Sequence, residues 1–242
     1  MEEFESDDNS SETAPPTRQR VAARAIILAS IAYRGILEAD AQNPDALILW
    51  HKIEDWLRTL PLQQEVEPEE QTILDTPFGQ LPSQPAINAS WRTEGAAVLA
   101  WSLNCYKLPA HDDNSNIDDI LDGLGFFQPP ADTVLHHGRL RTPAELDRYA
   151  SVALTIHWRL REFGLSPKAI DFPDFVRRAQ WGPLSLDGVS LKNQDLSIRG
   201  DSIFEADEQA VYFAQSIARE RHQAINWLMG WDEVYSEVDT GT

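Results

Sequence analysis

A single cysteine, Cys105, occurs in 242 residues. That excludes an internal disulfide and a Cys-rich zinc site, and it agrees with a reducing compartment. Positive charge is also scarce. Twenty Lys and Arg face 39 Asp and Glu, for a formal net charge of −19. A chain this acidic lacks the broad basic surface that neutralises phosphates, so neither nucleic acid nor an anionic membrane is an expected partner. No apolar run approaches the roughly 18 residues of a membrane span. The acidic N-terminus has neither the basic flank nor the apolar core of a signal peptide, so a soluble, cytoplasmic protein is expected. Catalytic signatures are missing as well. There is no Gly-x-Ser-x-Gly, no His-Glu-x-x-His and no Gly-rich phosphate loop, and no cofactor is expected.

What is present is a globular composition, 42% apolar with eight tryptophans. Residues 1–19 read as a disordered acidic leader, and 20–240 as a single, mostly α-helical domain. Val21, Arg24, Ile27, Leu28, Ile31 and Ile36 share one helical face, with Gly35 weakening its far end. Asn43-Pro44-Asp45 starts a second helix that Pro61 stops, and Glu67-Pro68 opens a short acidic one. The stretch from Thr76 to Asn88 reads as a proline-rich loop. Ser90 is the expected cap of the next helix, in which Trp91, Val98, Trp101 and Cys105 step by three and four, with Glu94 in the missing place. Asn116-Ile117-Asp118-Asp119 begins a brief helix. Thr142-Pro143-Ala144-Glu145 combines a capping box with proline at the first helical position. Between Leu184 and Ile203 the period drops to two. Turns at Asp187-Gly188 and Arg199-Gly200 predict a small antiparallel β-hairpin insertion before the C-terminal helix.

That last helix begins near Asp207. Val211, Ala214, Ala218, Ile225 and Leu228 form its apolar stripe. Arg221 falls inside the stripe, flanked by Glu220 and His222. Together with Arg92, Glu94 and His157, they make a candidate cluster from three separate helices. An ionic lock accounts for it, because carboxylate pairs well with the rigid guanidinium fork, which stays charged when desolvated. A cleft accounts for it too, with His157 or His222 as base and Arg221 holding an anion. The lock is preferred, since paired ions need no substrate. A Glu94→Gln change should then cost far more stability than Glu70→Gln.

Two imidazoles and a carboxylate could also take zinc or ferrous iron, but no helix carries two of them at ligand spacing, and no metal is expected. Asp112, Asn114, Asn116 and Asp118 imitate the start of a calcium loop. Ile117 and Gly123 occupy its two most restrictive positions, so a solvated loop and helix cap are expected. Cys105 and the tryptophans Trp91, Trp101, Trp158 and Trp227 are assigned to packing.

Ser90-Trp91-Arg92-Thr93-Glu94-Gly95 and the following Val98 to Leu103 resemble a motif of the domain-of-unknown-function 4272 family. So do Leu140-Arg141-Thr142-Pro143-Ala144-Glu145 with His157-Trp158-Arg159, and Glu220 to Leu228 with Trp231-Asp232-Glu233-Val234 and Asp239-Thr240. The likeness runs in family order from about Arg20 to Thr240, with a shortened spacer between Gly230 and Trp231. It implies a soluble, mainly helical domain and carries no catalytic role over. The expected function is a non-catalytic interaction protein, immunity- or adaptor-like, that binds a basic protein partner. The alternative is an enzyme acting on an anionic small molecule at the Arg/Glu/His cluster.

Overall fold

The computed structural model describes residues 14–242. Most of the expected leader, residues 1–13, lies outside the described residues. Helix α1 (Arg18–Glu38) begins within its last two positions, with the Thr17 side chain capping it. There follow α2 (Pro44–Leu57), α3 (Pro68–Asp75), α4 (Ser83–Ser102), α5 (Ile117–Leu124), α6 (Val134–His137), α7 (Pro143–Leu165) and α8 (Phe172–Arg178). Three short strands, β1 (Leu191–Lys192), β2 (Asp195–Ile198) and β3 (Asp201–Ser202), precede α9 (Glu208–Leu228). The architecture is mostly α with a small antiparallel sheet before the last helix.

Two helices lie at the centre. Alanines let α1 and α4 come close: Ala22, Ala25, Ala29 and Ala32 on the first, Ala89, Ala96, Ala97 and Ala100 on the second, all buried. They come close at Gly35, where an added Cβ would stand 2.4 Å from the Ala86 carbonyl oxygen and 2.7 Å from the Ser90 nitrogen. The glycine that looked like a weak helix end is therefore the contact point of the central pair.

Helix α9 packs on both α4 and α7, and it joins two apolar clusters. Its first half, Ala210, Ala214 and Ala218, meets Ile156 and Leu160 of α7, Phe172 of α8, and Leu196, Ile198 and Ile203 from the sheet region. Its second half, Ala224 to Leu228, enters the larger core with α1, α4 and α5. Residues 220–223 lie between the two.

Several expectations need correction. Helix α4 starts at Ser83, not Ser90, so the proline-rich loop ends at Pro82. Pro85 falls in the first turn, where a missing N–H has no helical partner to lose. The first strand turn is Asn193-Gln194, both with positive φ, and the second is Arg199-Gly200 as expected. Two-residue loops of this form match the twist of the flanking strands. Asp187-Gly188 makes a tight turn, Val189 N–H to the Leu186 carbonyl at 3.0 Å, without flanking strands. The chain after α9 packs back on the helix: Tyr235 and Val238 are buried, and Gln223 Nε2 donates to the Tyr235 carbonyl at 2.8 Å.

Glu70 is not a solvated acid. It is buried and receives Arg24 Nη1 and Nη2 at 3.0 and 2.7 Å, and burial pushes its carboxyl up to about 6 in spite of that arginine. It is no surface control for Glu94.

The central contact is testable by melting temperature. Gly35→Ala should destabilise by about 1–3 kcal/mol through overpacking. Gly164→Ala, in α7 with no neighbour nearer than 3.9 Å, should be neutral or stabilise by up to about 1 kcal/mol through helix propensity. Equal melting temperatures for the two variants would remove the close α1–α4 approach as a constraint.

Candidate functional site

Successive helical residues point about 100° apart, so Glu220, Arg221 and His222 leave α9 in three directions. All three are buried. They meet the candidate residues on α4 and α7, but as three couples and not as one network.

The first couple is Glu94 with Arg221. Arg221 Nε donates to Glu94 Oε2 at 2.8 Å. Glu94 also accepts from the Ser115 N–H at 2.7 Å and the Ser115 hydroxyl at 2.8 Å. The other nitrogens of Arg221 hold the loop before α5: Nη1 donates to the Ala110 carbonyl at 2.9 Å and Nη2 to the Asp113 carbonyl at 2.8 Å. Both charges are desolvated, and both have partners on every side that matters. In the second couple, Arg92 Nη1 reaches Glu220 Oε2 at 3.1 Å, and the exposed Arg219 adds a contact to the same carboxylate at 3.3 Å.

The third couple departs from expectation. His157 and His222 do not join the ion pair. Their Nδ1 atoms face each other at 2.9 Å, rings edge-on. One ring must donate N–H and the other accept through its lone pair, so the two cannot both be protonated. Burial enforces this, holding His157 at about 4, with Arg161 and Arg219 adding repulsion, and His222 at about 3, with His157 adding repulsion. Two facing Nδ1 atoms that share one proton offer no chelating pair. Among the described residues no group of three His, Cys, Asp or Glu side chains could hold a metal ion.

Asp112 and Asn116 of the acidic loop spend their oxygens on backbone N–H groups. Asp112 accepts from the Arg199 N–H at 2.5 Å, and Asn116 caps α5 through the N–H groups of Asp118 and Asp119. Cys105 donates to the Ala100 carbonyl, and burial pushes its thiol up to about 11, so it is a packing residue and not a nucleophile.

Another buried ion pair escaped the sequence reading. Arg159 grips Asp195 with two bonds, Nε–Oδ1 at 2.7 Å and Nη2–Oδ2 at 2.6 Å, and so ties α7 to β2. The signal available was Arg159 standing three residues after Ile156, on the buried face of α7. Nothing in the strand pattern marks Asp195 as its partner.

Beside Arg221 a cavity of about 380 Å³ opens between α7, the 109–111 loop and the 187–189 turn. Trp101 and Tyr149 line it, their rings 4.7 Å apart. Trp101 is therefore wall as much as core, unlike Trp227, which is fully buried. Neither histidine of the facing pair lines this cavity.

Two stability measurements follow. Glu94→Gln strands Arg221 in the interior and should cost about 3–5 kcal/mol. Glu69→Gln, at an exposed position of α3, should change little, and comparable losses would contradict the buried pair. For the histidines, the folded values lie below the unfolded value of 6.5. Their contribution is complete above pH 6.5 and is lost as pH falls through about 4 for His157 and about 3 for His222. In a His157→Leu variant, the slope of unfolding free energy against pH between 6.5 and 4.5 should flatten by up to about 1.4 kcal/mol per pH unit. Parallel profiles for variant and parent would show that the pair is not held neutral.

A family model described as domain of unknown function (DUF4272) matches residues 3–173. No curated protein and no solved structure matches the chain. The matched range brings in Arg92, Glu94, His157 and Arg159, and it stops before the sheet and α9, which supply Asp195 and residues 220–222. With well over half of its length inside that match, the chain belongs to the DUF4272 family.

Proposed function

We propose that this protein is a non-catalytic interaction protein, adaptor- or immunity-like, that binds a basic protein partner. One observation carries the reading. The groups that could have done acid–base chemistry are committed to one another in the interior: Glu94 to Arg221, Glu220 to Arg92, His157 to His222. The enzyme alternative, on an anionic small molecule at this cluster, has less support, because the two imidazoles face each other and do not line the adjoining cavity.

A basic partner is the complement of the net charge of −19. The described surface offers a concrete acidic face on α5, where Asp118, Asp119 and Asp122 are exposed and take part in no ion pair. We read 20–240 as one soluble domain, and we assign it to the cytoplasm on its single free thiol. No helix among the described residues is long and apolar enough to cross a membrane.

The test is affinity capture at low and high salt with the parent chain and with the Asp118→Asn, Asp119→Asn, Asp122→Asn triple variant. A basic protein that is retained at low salt, released as screening rises, and lost with the triple variant supports the reading. A partner set that is acidic, or that ignores both salt and the variant, overturns it.

A further inference from the structure

The cavity beside Arg221 has the make-up of a small-molecule site rather than a packing defect. Its volume of about 380 Å³ lies within the roughly 300–1,000 Å³ range of such sites. One wall is apolar, with Val152, Ala153 and Ile156 of α7 facing Val189. Another is aromatic, lined by Trp101 and Tyr149, whose rings lie 4.7 Å apart with Arg141 4.7 Å over the Trp101 ring. An apolar body of modest size, flat on one side, fits between them.

The polar groups decide what else a ligand must carry. Of the three arginines at this cavity, Arg221 is used up by Glu94 and loop carbonyls, and Arg141 is held by the Trp101 carbonyl at 2.9 Å and Glu145 at 2.9 Å. Arg148 is exposed and has no ion pair or hydrogen bond among the described residues. Of the two carboxylates, Glu145 is spent on Arg141 and the Thr142 cap, whereas Asp187 is in no ion pair and its carboxylate accepts no hydrogen bond. Arg148 and Asp187 both line the cavity yet do not pair with each other. His111, also on the wall, adds no charge: its Nε2 donates to the Ser197 carbonyl at 2.8 Å, and burial holds the ring below its ordinary value.

One free positive and one free negative group therefore stand at the mouth of an apolar and aromatic cavity. We propose that this cavity binds a zwitterionic small molecule of the aromatic α-amino acid class, with its carboxylate toward Arg148, its ammonium toward Asp187 and its side chain between Trp101, Tyr149 and the aliphatic wall. A guanidinium and a carboxylate that leave a gap between them accept the two charges of one amino-acid head group. A plain carboxylate would leave Asp187 beside it unanswered, and a plain amine would do the same to Arg148. The site needs no group from the buried cluster except Arg221, whose bonds to the Pro109–Asp113 carbonyls hold the 109–111 wall in place.

Titration calorimetry on the full chain tests this with three probes of one shape: L-phenylalanine, 3-phenylpropionate, which lacks the ammonium, and 2-phenylethylamine, which lacks the carboxylate. The amino acid should bind at least about tenfold more tightly than either truncated probe. Arg148→Gln should abolish its advantage over the amine, and Asp187→Asn its advantage over the acid. Each variant should leave the other comparison standing and the melting temperature unchanged, since both side chains are exposed. The proposal fails if none of the three probes binds. It fails equally if 3-phenylpropionate binds as tightly as the amino acid, or if the two variants act alike on all three probes.

Discussion

The Glu94–Arg221 pair is the constraint around which the two halves of the molecule are assembled. Helix α9 leaves one apolar cluster at Ala218 and enters the other at Ala224, and the residues between must cross the junction without water. A purely apolar crossing would bind well but would not fix rotation. The pair fixes it, since Arg221 has a single carboxylate to meet on α4 and a single set of loop carbonyls to fill. Its net contribution to stability is small, because desolvation offsets attraction. What the pair supplies is one register for α9, and Glu220 and His222 then fall opposite Arg92 and His157 without further choice.

The same device recurs at four connecting segments of this chain. Arg24 binds Glu70 and the Glu65 carbonyl, and Arg34 binds Glu38 and the carbonyls of Thr76 and Pro77. Arg159 binds Asp195 and the Lys168 carbonyl, and Arg221 binds Glu94 and the 109–113 carbonyls. In each case a buried guanidinium is paired with carboxylate, with Glu67 as well as Glu70 for Arg24, and spends its remaining donors on a connecting segment. Buried carbonyls outside helices and strands need donors, and the five N–H groups of arginine serve several of them from one position.

This also explains what could be read from the sequence. Local signals placed most helices: the Thr142 capping box, Pro44 after Asn43, and Asn116 at the start of α5 all act within four residues, and the chain shows them directly. Charge in an apolar stripe identified Glu94, His157 and Arg221 as inward, because period alone establishes a face. Pairing was not legible in the same way. His157 was grouped with the ions, yet it faces His222; Arg159 and Asp195 lie 36 residues apart, and only the fold brings them together. Glu70 looked like one more acid in an acidic helix, because the arginine that buries it sits on α1. The turn at Asn193-Gln194 was missed because neither residue is glycine, although both adopt positive φ.

The cavity beside Arg221 is a product of the junction and not of a dedicated motif. Its floor belongs to α7 and α9, which the facing histidines and the second apolar cluster hold together. Its rim belongs to two turns with little structure of their own, 109–111 and 187–189. The first turn is held by Arg221, which donates to its carbonyls, and by His111, which donates to the Ser197 carbonyl, so the shape of the cavity depends in part on a guanidinium whose charge is cancelled by Glu94 on the far side. An occupant would therefore meet the wall that Arg221 builds but not its charge. Recognition of charge falls to Arg148 and Asp187, the free pair at the mouth, and a group that serves the fold is kept separate from groups open to a ligand.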